Sequence, residues 1–182
     1  MPAKRFLKHA FPVLLLTAVV AVAVALLSYT DSVTRDKILA NEQQKTEGLL
    51  YEMFPDMSRY ELEDDILVIY SDGERIGYAF EAVGKGYGGD IKILVGLEDE
   101  ATIKDITIVS HTETPGLGAK VTGSAFTDQF TGLSIEDVTL SRDGGKIDAI
   151  TGATISSTAV VNAVRETSLE KVKLLKKIEQ GG

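Results

Sequence analysis

Cysteine and tryptophan are absent from the 182 residues of this chain, histidine occurs twice, as His9 and His111, and proline four times. Without cysteine there are no disulfides, no thiolate metal or iron-sulfur ligands, no cysteine nucleophile and no cysteinyl tether for a cofactor. Two distant histidines also argue against a zinc site built from protein ligands alone. Positive charge is scarce: 19 Lys and Arg stand against 27 Asp and Glu, a net of −8. Lys4, Arg5 and Lys8 fall in the first ten residues, so beyond them sixteen basic residues face 27 acidic ones, a net of −11. An acidic body without a Lys/Arg cluster displaces few counterions from a phosphate backbone, which excludes nucleic acid as the expected partner. Gly152 lacks the spacing of a dinucleotide fingerprint or a Walker loop, and neither phosphate site is indicated.

Charge is missing altogether from Ala10 to Leu27, AFPVLLLTAVVAVAVALL. Eighteen residues at 1.5 Å per residue approach the roughly 30 Å hydrocarbon core of a bilayer. Lys4, Arg5 and Lys8 precede this run and Asp31 follows it, so the positive-inside bias places the N-terminus in the cytoplasm. A cleaved signal peptide is the alternative. The run is longer than the roughly 7–15 residues of a signal h-region, and no lipidation cysteine offers another anchor, which favours a retained span. The expected division is a cytoplasmic head at 1–9, a transmembrane anchor at 10–28 and an exported domain at 29–182, the last made of a helical linker (29–55) and a core (60–182).

The 154 residues beyond position 28 suffice for one hydrophobic core. Asp31 to Phe54, with Val33, Ile38, Leu49, Leu50 and Met53 among charged neighbours, reads as a helix ended by Pro55. ELEDDILVIY, the turn Ser71-Asp72-Gly73-Glu74 and RIGYAFEAVG read as a hairpin in which Ile76, Tyr78 and Phe80 share a face. IKILVGL and TIKDITIVS form a second pair, continuing one antiparallel meander. AKVTGSAFTDQFTGLS reads as one or two brief helices, VTLSRDGGKIDAIT as a return to strand around Asp143-Gly144-Gly145, and Ile155 to Gln180 as an amphipathic helix with Val160, Val161, Val164, Leu169, Val172, Leu175 and Ile178 on its apolar side. The class is α+β: an N-terminal transmembrane helix, then an exported domain with an antiparallel sheet and flanking helices.

Chemistry concentrates in Asp148-Ala-Ile-Thr-Gly-Ala-Thr-Ile-Ser-Ser-Thr158, where a strand end, a glycine and five hydroxyl residues open a long helix. Unpaired N–H groups and the positive end of the helix dipole favour an anion there, and Thr151, Thr154, Ser156, Ser157 and Thr158 add hydroxyl donors. Ordinary helix capping by Ser and Thr accounts for the same residues.

Asp148-Ala-Ile-Thr-Gly-Ala-Thr154 resembles the flavinylation motif of the FMN-binding domains found in the G subunit of the Rnf electron-transport complex and the C subunit of the sodium-pumping NADH:quinone reductase. His111-Thr-Glu-Thr-Pro-Gly-Leu-Gly118 and Gly84-Lys-Gly-Tyr-Gly-Gly89 resemble two further segments of those subunits, in the same order, and the HTETPGLG loop favours the Rnf member. The resemblance implies FMN joined by a phosphoester to the hydroxyl of Thr154, attached by an exported flavin transferase, with Thr151, Gly152, Ala153, Ser156 and Ser157 around it. Asp148 matches the recurrent acidic position upstream of the acceptor; it serves recognition by the transferase or caps the local turn. It further implies a flavoprotein electron relay, without a catalytic residue or metal of its own. The setting implied is a prokaryotic cytoplasmic membrane, with the flavin domain on the outer side and other membrane subunits of an ion-pumping ferredoxin:NAD oxidoreductase as partners.

Glycines 84, 86, 88 and 89 allow close backbone approach to a flat ring, or simply make a mobile hairpin loop. Tyr87 and Gly88 are candidate ring contacts. Glu113, Thr114, Gly116 and Leu117 are candidates for a pocket wall, against the alternative of a Pro-Gly turn without a ligand. His111 is expected to cap a strand end rather than act as a base or carry flavin. The competing functions are a non-covalent FMN-binding sensory module, the quinone-reductase C subunit, and a structural subunit whose TGATISST segment only caps a helix.

Overall fold

The computed structural model describes residues 3–181, with side chains described at 11–32, 34 and 44–177. The side chains of Lys4, Arg5, Lys8, His9, Val33, Ile38 and Ile178 lie outside the described residues. The chain divides into two units, Met1–Lys45 and Thr46–Gly182.

The first helix, α1, spans Ala3–Met53. The separately expected anchor and linker helices are one, because neither Gly nor Pro interrupts the chain between Pro12 and Gly48. Within it Phe11–Ser32, 22 residues with a mean hydropathy of 2.6, is long and apolar enough to cross a membrane. Thr17 and Thr30 donate their hydroxyls to the carbonyls of Val13 and Leu26 at 2.9 and 2.8 Å, which satisfies these polar groups within the helix.

The second unit is built on a five-stranded antiparallel meander in the order β1 (Arg59–Glu63), β2 (Ile66–Ser71), β3 (Glu74–Lys85), β4 (Asp90–Leu97), β5 (Ile103–His111). The expected strand ELEDDILVIY is itself a hairpin. Asp64 and Asp65 both take positive φ, +44° and +61°, as the primed two-residue turns of hairpins require. Asp72 and Gly73 do the same between β2 and β3. Ile76 is the extra residue of a bulge, since Ile69 pairs with Gly77 and Tyr70 with Arg75. It therefore packs with the opposite cluster from Tyr78 and Phe80, contrary to simple alternation.

One sheet face carries the main core. Ile66, Val68, Tyr78, Phe80, Ile91, Ile93 and Ile106 pack with Phe126, Phe130 and the helix α3 (Thr154–Gly181), whose Val160, Val161, Val164, Val172 and Leu175 are buried. The other face holds a smaller cluster, Leu50, Met53, Phe54 and Met57 against Ile69, Ala79 and Leu94. Between β5 and α3 the chain forms the 3-10 turn Gly118–Thr122, the short helix α2 (Ser124–Thr127) and the 3-10 turn Asp128–Phe130, as brief helices were expected. The strand expected over 138–151 does not form. Ser141–Asp143 make a 3-10 turn and a single parallel bridge joins Leu140 to Ile147. Val138, Leu140 and Ile147 are buried, so this alternation belongs to a loop laid across the core.

Candidate functional site

Three segments distant in sequence meet at one end of the sheet. The first is the β3–β4 loop, closed by the Gly86 N–H to the Gly89 carbonyl at 2.8 Å. The second follows β5, where the His111 Nδ1 accepts the Glu113 N–H at 3.2 Å and so closes the strand end. The third is the turn into α3. Gly152, at φ +80°, reverses the chain where an L side chain is strained, and the Ala153 N–H donates to the Ile150 carbonyl at 2.9 Å. The fully buried Ser157 staples this turn to the helix. Its Oγ accepts the Ile150 N–H and donates to the Ala153 carbonyl, each at 3.0 Å.

Glu113 joins the three segments. Its side chain is buried, Oε1 accepts the Gly88 N–H at 3.0 Å, and Oε2 accepts the Ser156 hydroxyl at 2.6 Å. The Thr112 hydroxyl adds a bond to the Gly88 carbonyl at 3.1 Å. Glycine is needed around the carboxylate. A Cβ at Gly86 would stand 2.0 Å from Oε1 and one at Gly118 2.4 Å from Oε2. The close approach expected of the glycines is thus made to protein atoms. Gly84 meets the Ala159 carbonyl of α3 and Gly88 the Thr112 carbonyl.

These segments enclose a cleft of about 550 Å³ lined by Tyr87, Glu113, Thr114, Pro115, Leu117, Gly118, Gly152, Ala153, Thr154, Ile155 and Ser156. Its rim is apolar and exposed: Tyr87 is 70% accessible, Leu117 50% and Ile155 58%. Thr154, the first residue of α3, is exposed on that rim. It also borders a smaller cleft of about 330 Å³ that includes Lys85, Arg142, Thr158 and Asn162. Arg142 donates to the Thr158 Oγ1 at 3.3 Å there, and Lys85 pairs with Asp90 at 2.5 Å.

Eight of the residues singled out from the sequence therefore line one cleft: Tyr87, Glu113, Thr114, Leu117, Gly152, Ala153, Thr154 and Ser156. Thr151, Gly88, Gly116 and Ser157 do not line it; Gly116 is a turn at φ +86° and Gly88 contributes its N–H to Glu113. Asp148 lies off the cleft, exposed, with Oδ1 accepting the Ser141 hydroxyl at 2.7 Å and its N–H donated to Gln129 Oε1 at 2.7 Å. Pro115, Gly118 and Ile155 were missed. For Ile155 a signal existed, an apolar side chain set among hydroxyl residues at a helix start. Among the described residues no group of three or more His, Asp or Glu gathers as a metal site.

A family model described as FMN-binding domain matches residues 86–168, from the glycine-rich loop into α3. The G subunit of the ion-translocating oxidoreductase complex of Methanosarcina acetivorans is 38% identical over 159 residues, covering 80% of this chain and 84% of that protein. The G subunit of the Na(+)-translocating ferredoxin:NAD(+) oxidoreductase complex of Acetobacterium woodii is 33% identical over 173 residues, covering 82% and 83%. Among solved structures, NqrC of Shewanella oneidensis superposes with a TM-score of 0.49 at 19% identity, over 67% of this chain and 74% of that one.

Proposed function

This chain belongs to the family of G subunits of ion-translocating oxidoreductase complexes, and on that premise we propose that it is a membrane-anchored electron-transfer subunit carrying FMN as a phosphoester on Thr154. The observation that carries the reading is the Thr154 hydroxyl, exposed at the mouth of the apolar cleft and on the first residue of α3.

The residues fit such a group. A cleft of about 550 Å³ lies within the usual range for organic cofactors, and its mixture of an apolar rim with a few polar groups suits an isoalloxazine. Bound FMN would supply reversible one- and two-electron redox chemistry in the cleft. Tyr87, Pro115, Leu117 and Ile155 exclude water from a ring, while Ser156, Thr114 and Glu113 present its polar wall. Lys85 and Arg142, which border Thr154 on its other side and pair with Asp90 and Asp143, offer N–H donors to a phosphate seated on its hydroxyl. The first N–H groups of α3 add the positive end of the helix dipole.

A flavin transferase is the maturation partner in this reading, with Asp148 serving its recognition. Anchorage by 10–28, a cytoplasmic head at 1–9, and a flavin domain at 29–182 on the outer face follow from the charge asymmetry around the apolar run. The remaining subunits of the complex are the electron donors and acceptors; with no cysteine in the sequence, this chain offers no thiolate ligand to an iron-sulfur cluster.

The test is intact mass and in-gel flavin fluorescence after full denaturation, on the membrane-expressed chain with an FMN transferase present. Wild type is expected to keep fluorescence and the mass of one FMN, and Thr154→Ala to lose both while melting as the wild-type apoprotein does. Wild type without covalent flavin overturns the attachment; flavin that stays with the native protein and leaves on denaturation favours the non-covalent FMN module.

A further inference from the structure

Glu113 is the only charged side chain among the buried described residues, 5% accessible. No described lysine, arginine or histidine forms an ion pair with it. Both of its oxygens are hydrogen-bonded, one to the Gly88 N–H at 3.0 Å and the other to the Ser156 hydroxyl at 2.6 Å. It lines the cleft, and a Cβ at Gly86 or Gly118 would collide with its oxygens.

The linking of three segments does not require a charge. A glutamine in the same rotamer accepts the Gly88 N–H through its carbonyl and donates its amide to the Ser156 oxygen, keeping both ties. It also avoids the cost of burying an uncompensated carboxylate. What glutamine lacks is the negative charge itself, fixed beside the cleft where water is partly excluded and a charge acts strongly on its neighbours.

Resting on the FMN reading of the cleft, we propose that Glu113 sets the redox potential of the bound flavin: its buried carboxylate opposes the gain of electrons in the cleft, and the Ser156 hydroxyl moderates that charge. The two residues are an opposed pair. Neutralising Glu113 makes the flavin easier to reduce. Removing the Ser156 hydroxyl leaves the carboxylate with one fewer donor and makes the flavin harder to reduce.

The experiment is a reductive titration, followed by flavin absorbance against dyes of known potential, on flavin-loaded wild type, Glu113→Gln and Ser156→Ala. Thermal melting of the three apoproteins accompanies it. Glu113→Gln is expected to melt no lower than wild type and to favour the reduced flavin about tenfold, ~30 mV upward for a two-electron couple. Ser156→Ala is expected to shift the other way, about threefold. A loaded Glu113→Gln with wild-type potential overturns the proposal and leaves Glu113 a structural link. Should Glu113→Gln fail to load, an unmoved or raised potential in Ser156→Ala overturns it equally; failure of both to load, with lowered melting temperatures, assigns the pair to folding and overturns it too. Wild type that takes up no flavin marks the failure of the FMN reading instead, and the proposal falls with its premise.

Discussion

On the α3 face of the sheet, Gly84 lies directly under the backbone of Ala159, where an added Cβ would meet the carbonyl oxygen at 2.6 Å. On the α1 face, Gly96 lies under Met53, where the same Cβ would meet the thioether sulfur at 2.1 Å and the Phe54 ring at 3.3 Å. Both glycines let a helix sit close on the strands, but the obstacle differs in kind. The carbonyl of Ala159 belongs to a helix held by a continuous core from Ile66 to Leu175, and it has no rotamer to change. The sulfur of Met53 lies near the tip of a flexible side chain in a seven-residue cluster and can swing aside. The cleft is built on the stiffer side. Thr154, Ile155 and Ser156 keep their places relative to the glycine-rich loop because α3 crosses β3 at Gly84, next to that loop.

The largest effect expected from this contrast comes from Gly84→Ala. It should lower stability by about 2 kcal/mol, as overpacking against backbone does, and reduce flavin uptake at the proposed site because the start of α3 is pushed from the loop. Denaturant unfolding and in-gel flavin fluorescence check both. Gly96→Ala should cost about 1 kcal/mol, relieved by Met53, and leave flavin uptake at the wild-type level. Equal losses in the two variants, or lost flavin in Gly96→Ala, would break the distinction between the faces.

The smallest effect concerns Asp105 on β5. Burial raises its pKa above 3.8, and repulsion from Asp128 adds to this, against a bond from the Ile106 N–H and the attraction of Lys104. For a carboxyl raised on folding, the native state holds its proton longer than the unfolded chain does. Stability therefore falls as pH rises from about the unfolded value through the raised one, and is level above it. Asp105→Asn keeps the acceptor for Ile106 and removes the charge, so it should stabilise by about 0.5 kcal/mol at pH 7 and have no benefit at pH 3. Melting temperatures at the two pH values check the sign. Asp99 is the opposite case: its carboxylate accepts the N–H groups of Ala101 and Thr102 at 2.8 and 2.7 Å, which lowers its pKa, and its contribution is lost on acidification.

Legibility in the sequence followed the range of the interactions. The Asp72-Gly73 turn was readable because glycine tolerates positive φ; Asp64-Asp65 was not, because two aspartates inside an apolar-flanked run carry no such mark. The bulge at Ile76 hid for a similar reason, since an extra residue on one strand is defined only by its partner. The 138–151 segment misled because inward-facing Val138, Leu140 and Ile147 copy a strand's pattern while a tight turn at Ser141–Asp143 denies it a ladder. Within the cleft, Thr154 and Gly152 stood out through the resemblance of their motif, and Tyr87 and Leu117 as residue types suited to flank or cover a ring. Glu113 was expected as a wall residue, while its central position was invisible.

By itself, the sequence determined the apolar run, the α+β class, the meander and the hydroxyl-rich start of the last helix, because these depend on residue type and on periods of two and 3.6. Tertiary structure alone decided that Thr154 faces an apolar cleft and that Glu113 is buried between Gly88 and Ser156. Those partners lie 25 and 43 residues away along the chain, and only the meeting of the β3–β4 loop, the segment after β5 and α3 brings their donors to one carboxylate.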